Sequence, residues 1–150
     1  MTIRLSTGLR NDILNGGAGG GVRGAFAGGF IYIFPGTQPA SPDTGATGTL
    51  LGKVTVNGDG STGLNFDAAV NGVMSKALAE VWRFLGLADG QAGWFRFCEA
   101  SDTPTVTSAT ASRMDGTLGT AGADMDISNT NVTTGAMNTV GDLTITMPGA

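Results

Sequence analysis

The sequence has no histidine, so the commonest general base and the commonest metal ligand are both missing. Most hydrolase constellations are excluded with them. A single cysteine, Cys98, has no intrachain disulfide partner and no histidine to activate it; it reads as a small buried hydrophobe. Charge is also scarce. Only 13% of the 150 residues are charged, with 8 Lys plus Arg against 12 Asp plus Glu and a net charge of −4. That balance argues against a nucleic-acid partner. No stretch reaches the run of about 18 apolar residues that a membrane span needs, and Met1 to Leu5 has no signal-like apolar segment. The expectation is a protein made in the cytoplasm with neither membrane nor nucleic acid as partner.

What is abundant is glycine, at 26 residues, with 20 threonines beside it. Hydrophobic residues reach 41%, too many for a disordered tail. Length and composition together describe one turn-rich β domain over 1–150. It has an N-terminal arm over about 1–28 and a long loop at 37–49. Within the arm, Ile3, Leu5, Leu9, Ile13 and Leu14 recur at loosely helical spacing. Ser6 or Thr7 is placed to cap that helix and Asn15-Gly16 to stop it. Gly16-Gly17-Ala18-Gly19-Gly20-Gly21 follows as an adaptable hinge.

Gly29 to Phe34 is continuously apolar and ends at Pro35-Gly36, as expected of a central strand. Asn57-Gly58-Asp59-Gly60 is hairpin chemistry and predicts that 50–56 returns through Thr62 to Phe66. Residues 73–87 suit either a helix or a strand, and 80–87 is assigned to strand. Asp89-Gly90 then predicts a second hairpin, joining that strand to Gly93–Cys98. Asp124 to Ser128 and Asp142 to Met147 alternate apolar with polar residues, one face inward and one outward. The fold class expected is all-β: an antiparallel β-sandwich, jelly-roll-like, with at most one or two short helices.

Each motif with a chemical reading lacks a required part. Gly19-x-Gly21-x-x-Gly24 spells a dinucleotide fingerprint without the preceding strand and following helix. Gly48 to Lys53 is one residue short of a phosphate loop, and Val54 stands where its hydroxyl belongs. Asp115, Asp124, Asp126, Ser128, Asn129 and Asn131 offer oxygens to calcium, but no glycine or closing glutamate completes the loop. Glu80 and Glu99 are fixed at no particular separation. Trp82, Trp94, Phe95, Phe97, Tyr32 and Phe34 would form a sugar-stacking platform if exposed, and an ordinary aromatic core if buried. Arg96 lies between Phe95 and Phe97, so if its face is inward it needs a carboxylate or a subunit interface. No catalytic residue, cofactor or metal is expected.

Five stretches carry a resemblance. They are Ile3-Arg4-Leu5-Ser6-Thr7-Gly8-Leu9-Arg10-Asn11, Ile31 to Pro39, Ala92 to Phe97, Arg113 to Gly119, and Gly122 to Met125. Together the chain resembles small virion structural proteins of tailed bacteriophages. The resemblance implies a virion component, and low charge with adaptable arms suits a capsid decoration, or cement, protein. Its expected partners are the major capsid protein and itself, as a homodimer or homotrimer. Its expected place is the capsid surface, after synthesis in the bacterial host. Edge strands are expected to dock by β-augmentation. The expected contact residues are Gly19, Gly20, Gly21 and Arg23 in the arm, Gln38, Pro39 and Pro42 in the loop, and Asp124 and Asp126 on a solvent- or partner-facing edge. A tail or neck component and a carbohydrate- or receptor-binding module are the alternatives.

Overall fold

The structure, a computed structural model, describes residues 3–16 and 20–149. Its elements in chain order are β1 (Arg4–Leu5), α1 (Thr7–Asn15), α2 (Gly21–Ala25), β2 (Phe30–Pro35), β3 (Gly52–Val56), β4 (Val73–Ser75), β5 (Trp82–Leu85), β6 (Gly90–Cys98), β7 (Arg113–Gly119), β8 (Met125–Ile127), β9 (Asn131–Val132) and β10 (Met137–Thr146). The protein is mainly β, as expected. All ten strands belong to one hydrogen-bonded sheet. Seven of them, in the order β7-β8-β10-β5-β3-β2-β6, close on themselves through a β6–β7 pairing. Every pairing in this ring is antiparallel except β7 with β8. β1 attaches to β7, β4 to β10 and β9 to β6.

Alternation along the strands fills this ring. Ile31 and Ile33 of β2, Val54 of β3, Trp82 and Phe84 of β5, and Phe95 and Phe97 of β6 are at most 0% exposed and share one core. Met114, Met125, Ile127, Val140 and Leu143 complete it. The register of β10 shifts between Val140 and Asp142, which moves its buried set from Asn138 and Val140 to Leu143. One extra residue at Gly141 thus keeps both halves of a long strand facing the core. Phe97 stacks on Phe26 at 4.5 Å and meets Trp82 edge-on at 6.0 Å.

The helix expected near the N-terminus is α1. Ser6 caps it by accepting from the Leu9 N–H at 3.1 Å, and Gly16 ends it in the left-handed region at φ +64°. The expected free arm is instead part of the fold. Leu9 and Phe26 are fully buried in the core, because an apolar side chain gains more from that site than from water. α2, a single short turn after Gly20, was not expected from the glycine-rich sequence.

Both hairpin expectations are corrected. Asn57 and Gly58 do form a turn, with φ of +56° and +71°, but the chain after it crosses to Gly29, where Leu64 bridges. β3 pairs with β2 and β5 instead. Likewise β5 and β6 are not neighbours, since β3 and β2 lie between them in the ring. Asp89 accepts from the N–H and hydroxyl of Thr134 at 2.7 and 2.9 Å. Turn chemistry is local, whereas the choice of neighbour follows from which faces bury the large aromatics.

Gly52 marks a close approach in this core. A methyl group there would lie 2.2 Å from Cδ2 of Phe84. Gly52→Ala is therefore expected to cost about 1–3 kcal/mol through overpacking, read as a lower urea midpoint; an unchanged midpoint would show that the ring has slack at this layer.

Candidate functional site

The outer face of β2, β6 and β7 is the part of the molecule with the densest polar chemistry. Residues that alternate with the core face point there: Tyr32 and Phe34 from β2, Trp94, Arg96 and Cys98 from β6, Arg113 and Asp115 from β7. All except Tyr32 are buried, because the 37–49 loop and the segment 99–111 fold over them. Phe34 stacks on Trp94 at 4.8 Å, and Ala46 of the loop joins them in a second small core.

Two arginines fasten this cover. Arg96 and Asp115 are cross-strand partners, and both side chains are 0% exposed. The guanidinium grips the carboxylate with Nε to Oδ1 and Nη2 to Oδ2, each 2.7 Å. Its Nη1 donates to the Thr44 carbonyl at 2.8 Å and the Pro104 carbonyl at 2.9 Å, one in each covering segment. Arg113 repeats the arrangement with Asp102, at 2.6 and 2.7 Å. It also donates to the carbonyls of Pro42, Thr103 and Val106. Arg4 donates to the Pro39 carbonyl. A planar five-donor cation suits this task, since it satisfies a carboxylate and loop carbonyls at once.

The loop is tied to α1 as well. Asp43 accepts from the Thr7 N–H at 2.8 Å and its hydroxyl at 2.6 Å, at the first turn of the helix. The two covering segments bond each other through Ala46 N–H to Pro104 carbonyl and Ser108 N–H to Asp43 carbonyl, both 2.9 Å. The 37–49 loop is thus pinned by residues distributed over α1, β1, β6 and β7, and the expectation of an adaptable loop is corrected.

Burial sets the titration of these groups. Burial pushes the Asp115 carboxyl upward, against the pull of Arg96. Burial acts upward on Asp102 too, but its hydrogen bonds from Arg113 and Cys98 hold it below the ordinary value. Asp43 is also lowered: burial opposes the shift, while Thr7, Arg10 and Arg113 favour the carboxylate. Cys98 is driven far up by burial, with the Asp102 charge adding to it. Its thiol stays protonated and unreactive, as the sequence suggested. Tyr32 is pushed up to about 12, first by burial.

The expected contact residues fall in three separate places. Gly20, Gly21 and Arg23 lie at α2, where Gly20 and Arg23 are exposed and Arg23 donates to the Phe66 carbonyl at 3.1 Å. Gly19 lies outside the described residues. Gln38 and Pro42 are buried under the cover and Pro39 is half-buried, so the protein itself occupies what was expected to be a contact surface. Asp124 is turned inward, 6% exposed, and accepts from the N–H and hydroxyl of Thr117 at 2.9 and 2.8 Å. Two donors at one carboxylate outweigh its preference for water. Asp126 is half-buried opposite Asp142.

The other chemical readings resolve in the same way. Trp82 and Trp94 are 0% and 2% exposed, so they do not form a sugar-stacking platform. Their indole N–H groups donate to Glu80 at 2.7 Å and to the Pro35 carbonyl at 3.1 Å. Glu80 is held by Asn65 and Trp82. Among the described residues no cluster of three His, Cys, Asp or Glu is arranged to hold a metal ion, and no helix is long and apolar enough to cross a membrane. The sequence reading identified Arg96 as a residue needing a partner, but it missed Arg113 and Asp102. The spacing of Arg113 and Asp115, two apart in a strand, was the available signal.

Comparison with protein-family models, with curated proteins and with solved structures finds no match.

Removing Asp115 leaves the buried Arg96 guanidinium without its counter-charge and with Nε and Nη2 unpaired. Asp115→Ala is expected to destabilise the protein by about 3–5 kcal/mol, measured by urea unfolding; a loss below about 1 kcal/mol would show that Arg96 does not depend on Asp115. Acid is expected to act through Asp102 and Asp43. Their folded values lie below 3.8, so the stability they contribute is complete above that pH. It is lost as pH falls through their lower folded values. Asp115, shifted upward, acts in the opposite sense. Thermal melts of the Asp43→Asn, Asp102→Asn double variant should therefore fall less steeply below pH 3.8 than those of the unaltered protein, and parallel curves would assign the acid loss elsewhere.

Proposed function

We propose that this chain is a non-enzymatic structural protein of a tailed-bacteriophage virion, acting as a capsid decoration (cement) protein that stabilises the head through contacts with the major capsid protein. The observation that carries this reading is how the buried polar groups are used. Arg96, Arg113, Asp102 and Asp115 have their hydrogen bonds directed at one another and at loop carbonyls. The investment is in a fixed shape. Residues that could have carried chemistry serve as fasteners, and a surface low in charge limits the desolvation cost of docking on neighbours.

The resemblance of five stretches to small virion proteins adds the particle to this reading. The finer form of the fold fits it as well. We read the ring, with its covered outer face, as a flattened, jelly-roll-like sandwich, a shape that presents broad surfaces to neighbours. The chain works as a repeated unit, present as a homodimer or homotrimer on the capsid exterior. The buried state of Trp82 and Trp94 weighs against a carbohydrate-binding module.

Quantitative mass spectrometry of purified virions tests this directly. The expected result is hundreds of copies per particle, in fixed ratio to the major capsid protein. A few to a few dozen copies would move the chain to the neck or tail. Its absence from particles would overturn the proposal.

A further inference from the structure

Asparagine precedes glycine three times, at Asn15-Gly16, Asn57-Gly58 and Asn71-Gly72. Glycine has no side chain to shield its backbone nitrogen, so in each pair that nitrogen is sterically free to attack the carboxamide before it. The local sequence treats the three alike, and the asparagine is exposed in all three. The fold does not. The Gly16 N–H ends α1 by donating to the Asp12 carbonyl. The Gly58 N–H donates to the Thr55 carbonyl at 3.3 Å, and a methyl group on Gly58 would lie 2.8 Å from the Met137 sulfur. Among the described residues, neither the Gly72 N–H nor the Asn71 carboxamide has a hydrogen-bond partner.

Asn71 and Gly72 are the two central residues of a hairpin whose flanks, Val70 and Val73, bond each other twice, at 2.9 and 3.0 Å. Their φ values of +51° and +77° make the turn type I′. A five-membered ring needs the Gly72 nitrogen and the Asn71 Cβ eclipsed about the Cα–C bond. For an L residue that means ψ of about −120°, the value found at the first central residue of a type II′ turn. Types I′ and II′ both join strands through a two-residue loop, and they differ by rotation of the central peptide. The first residue keeps its positive φ, and glycine at the second accepts either sign. Rotating the Asn71–Gly72 peptide therefore aligns the attacking nitrogen while the Val70–Val73 bonds stay. The Gly72 carbonyl belongs to the next peptide and keeps its bond from the Met147 N–H at 2.9 Å. Asn57-Gly58 has the same signs of φ, but there the rotation breaks the bond to Thr55.

We propose that Asn71 is a site of non-enzymatic deamidation, with the 70–73 hairpin as the scaffold for ring closure. The Gly72 nitrogen bonds to Cγ of Asn71 and gives up its proton. The Cγ–Nδ2 bond breaks, and Nδ2 leaves as ammonia with that proton. Water then opens the succinimide. Addition at Cγ yields aspartate, and addition at the Asn71 backbone carbonyl yields isoaspartate, whose main chain runs through Cβ. Nothing is oxidised or reduced, and water is the co-reactant. Either product adds a negative charge to a chain whose net charge is already −4. Isoaspartate also lengthens the main chain of a two-residue turn. Because turn length sets register, the strand it disturbs is β4, whose Ser75 faces Thr144 of β10.

Peptide mapping by tandem mass spectrometry of the full chain, held in mildly alkaline buffer, tests this. Circular dichroism confirms that the chain stays folded, and a urea-unfolded sample runs in parallel. In the folded protein Asn71 is expected to lose ammonia at least about fivefold faster than Asn57 or Asn15, since a hydrogen bond on the attacking nitrogen is worth a factor of that order. In urea only the shared Asn-Gly sequence remains, so the three rates should converge to within about threefold. Aspartate and isoaspartate at position 71 should appear together, because both come from one ring. A smaller ratio in the folded protein, or one that persists unchanged in urea, would overturn the proposal. So would aspartate formed without isoaspartate, which would mean direct hydrolysis of the carboxamide.

Discussion

A guanidinium without solvent has to find acceptors inside the protein, and Arg96 meets this requirement with one carboxylate and two carbonyls. Desolvating a charge costs several kcal/mol unless it is paired with good geometry, so the position of every acceptor is constrained together. Asp115 comes from the neighbouring strand, which fixes the β6–β7 register. Thr44 and Pro104 come from segments 60 residues apart in sequence, which fixes where both covering loops lie. Satisfying this cation and its neighbour Arg113 ties the β6–β7 register to the positions of both covering loops.

That arrangement also limits what these particular groups can do. Charged groups committed to permanent partners are poor acids, bases or nucleophiles, because changing their protonation would leave the opposite charge buried and unpaired. The same commitment removes mobility from loops that would otherwise open. Exposed apolar side chains are spread over several places, among them Leu14, Leu78, Leu85, Val106 and Met137.

The legible parts of this fold were those decided within a few residues. Ser6 or Thr7 and Asn15-Gly16 marked the ends of α1, and Ser6 and Gly16 are the caps, because capping is a local hydrogen-bonding problem. The apolar run from Gly29 to Phe34 identified a central strand, though Phe30 and Tyr32 on its outer side are only half-buried, and Arg96 could be recognised as needing, if inward, a carboxylate or a subunit interface. Strand neighbours were not legible. Asn57-Gly58 specified a turn without specifying that the chain beyond it would join Gly29, and Asp89 found Thr134 from 45 residues away. Asp124 looked outward-facing by alternation, yet the two donors on Thr117 turned it inward. The loop at 37–49 looked adaptable because its anchors, Arg4, Arg96 and Arg113, all lie outside it.

The central claim is that the covering loops are fastened as firmly as the ring beneath them. Native-state hydrogen exchange tests this through the amides of Ala46 and Ser108, whose bonds join the two covering segments. The account predicts that they exchange only through global unfolding, with the same free energy and denaturant dependence as amides of Phe95 and Phe97 in β6. Exchange of Ala46 and Ser108 through low-energy, denaturant-independent openings would contradict it, and would return the 37–49 loop to the status of a mobile arm.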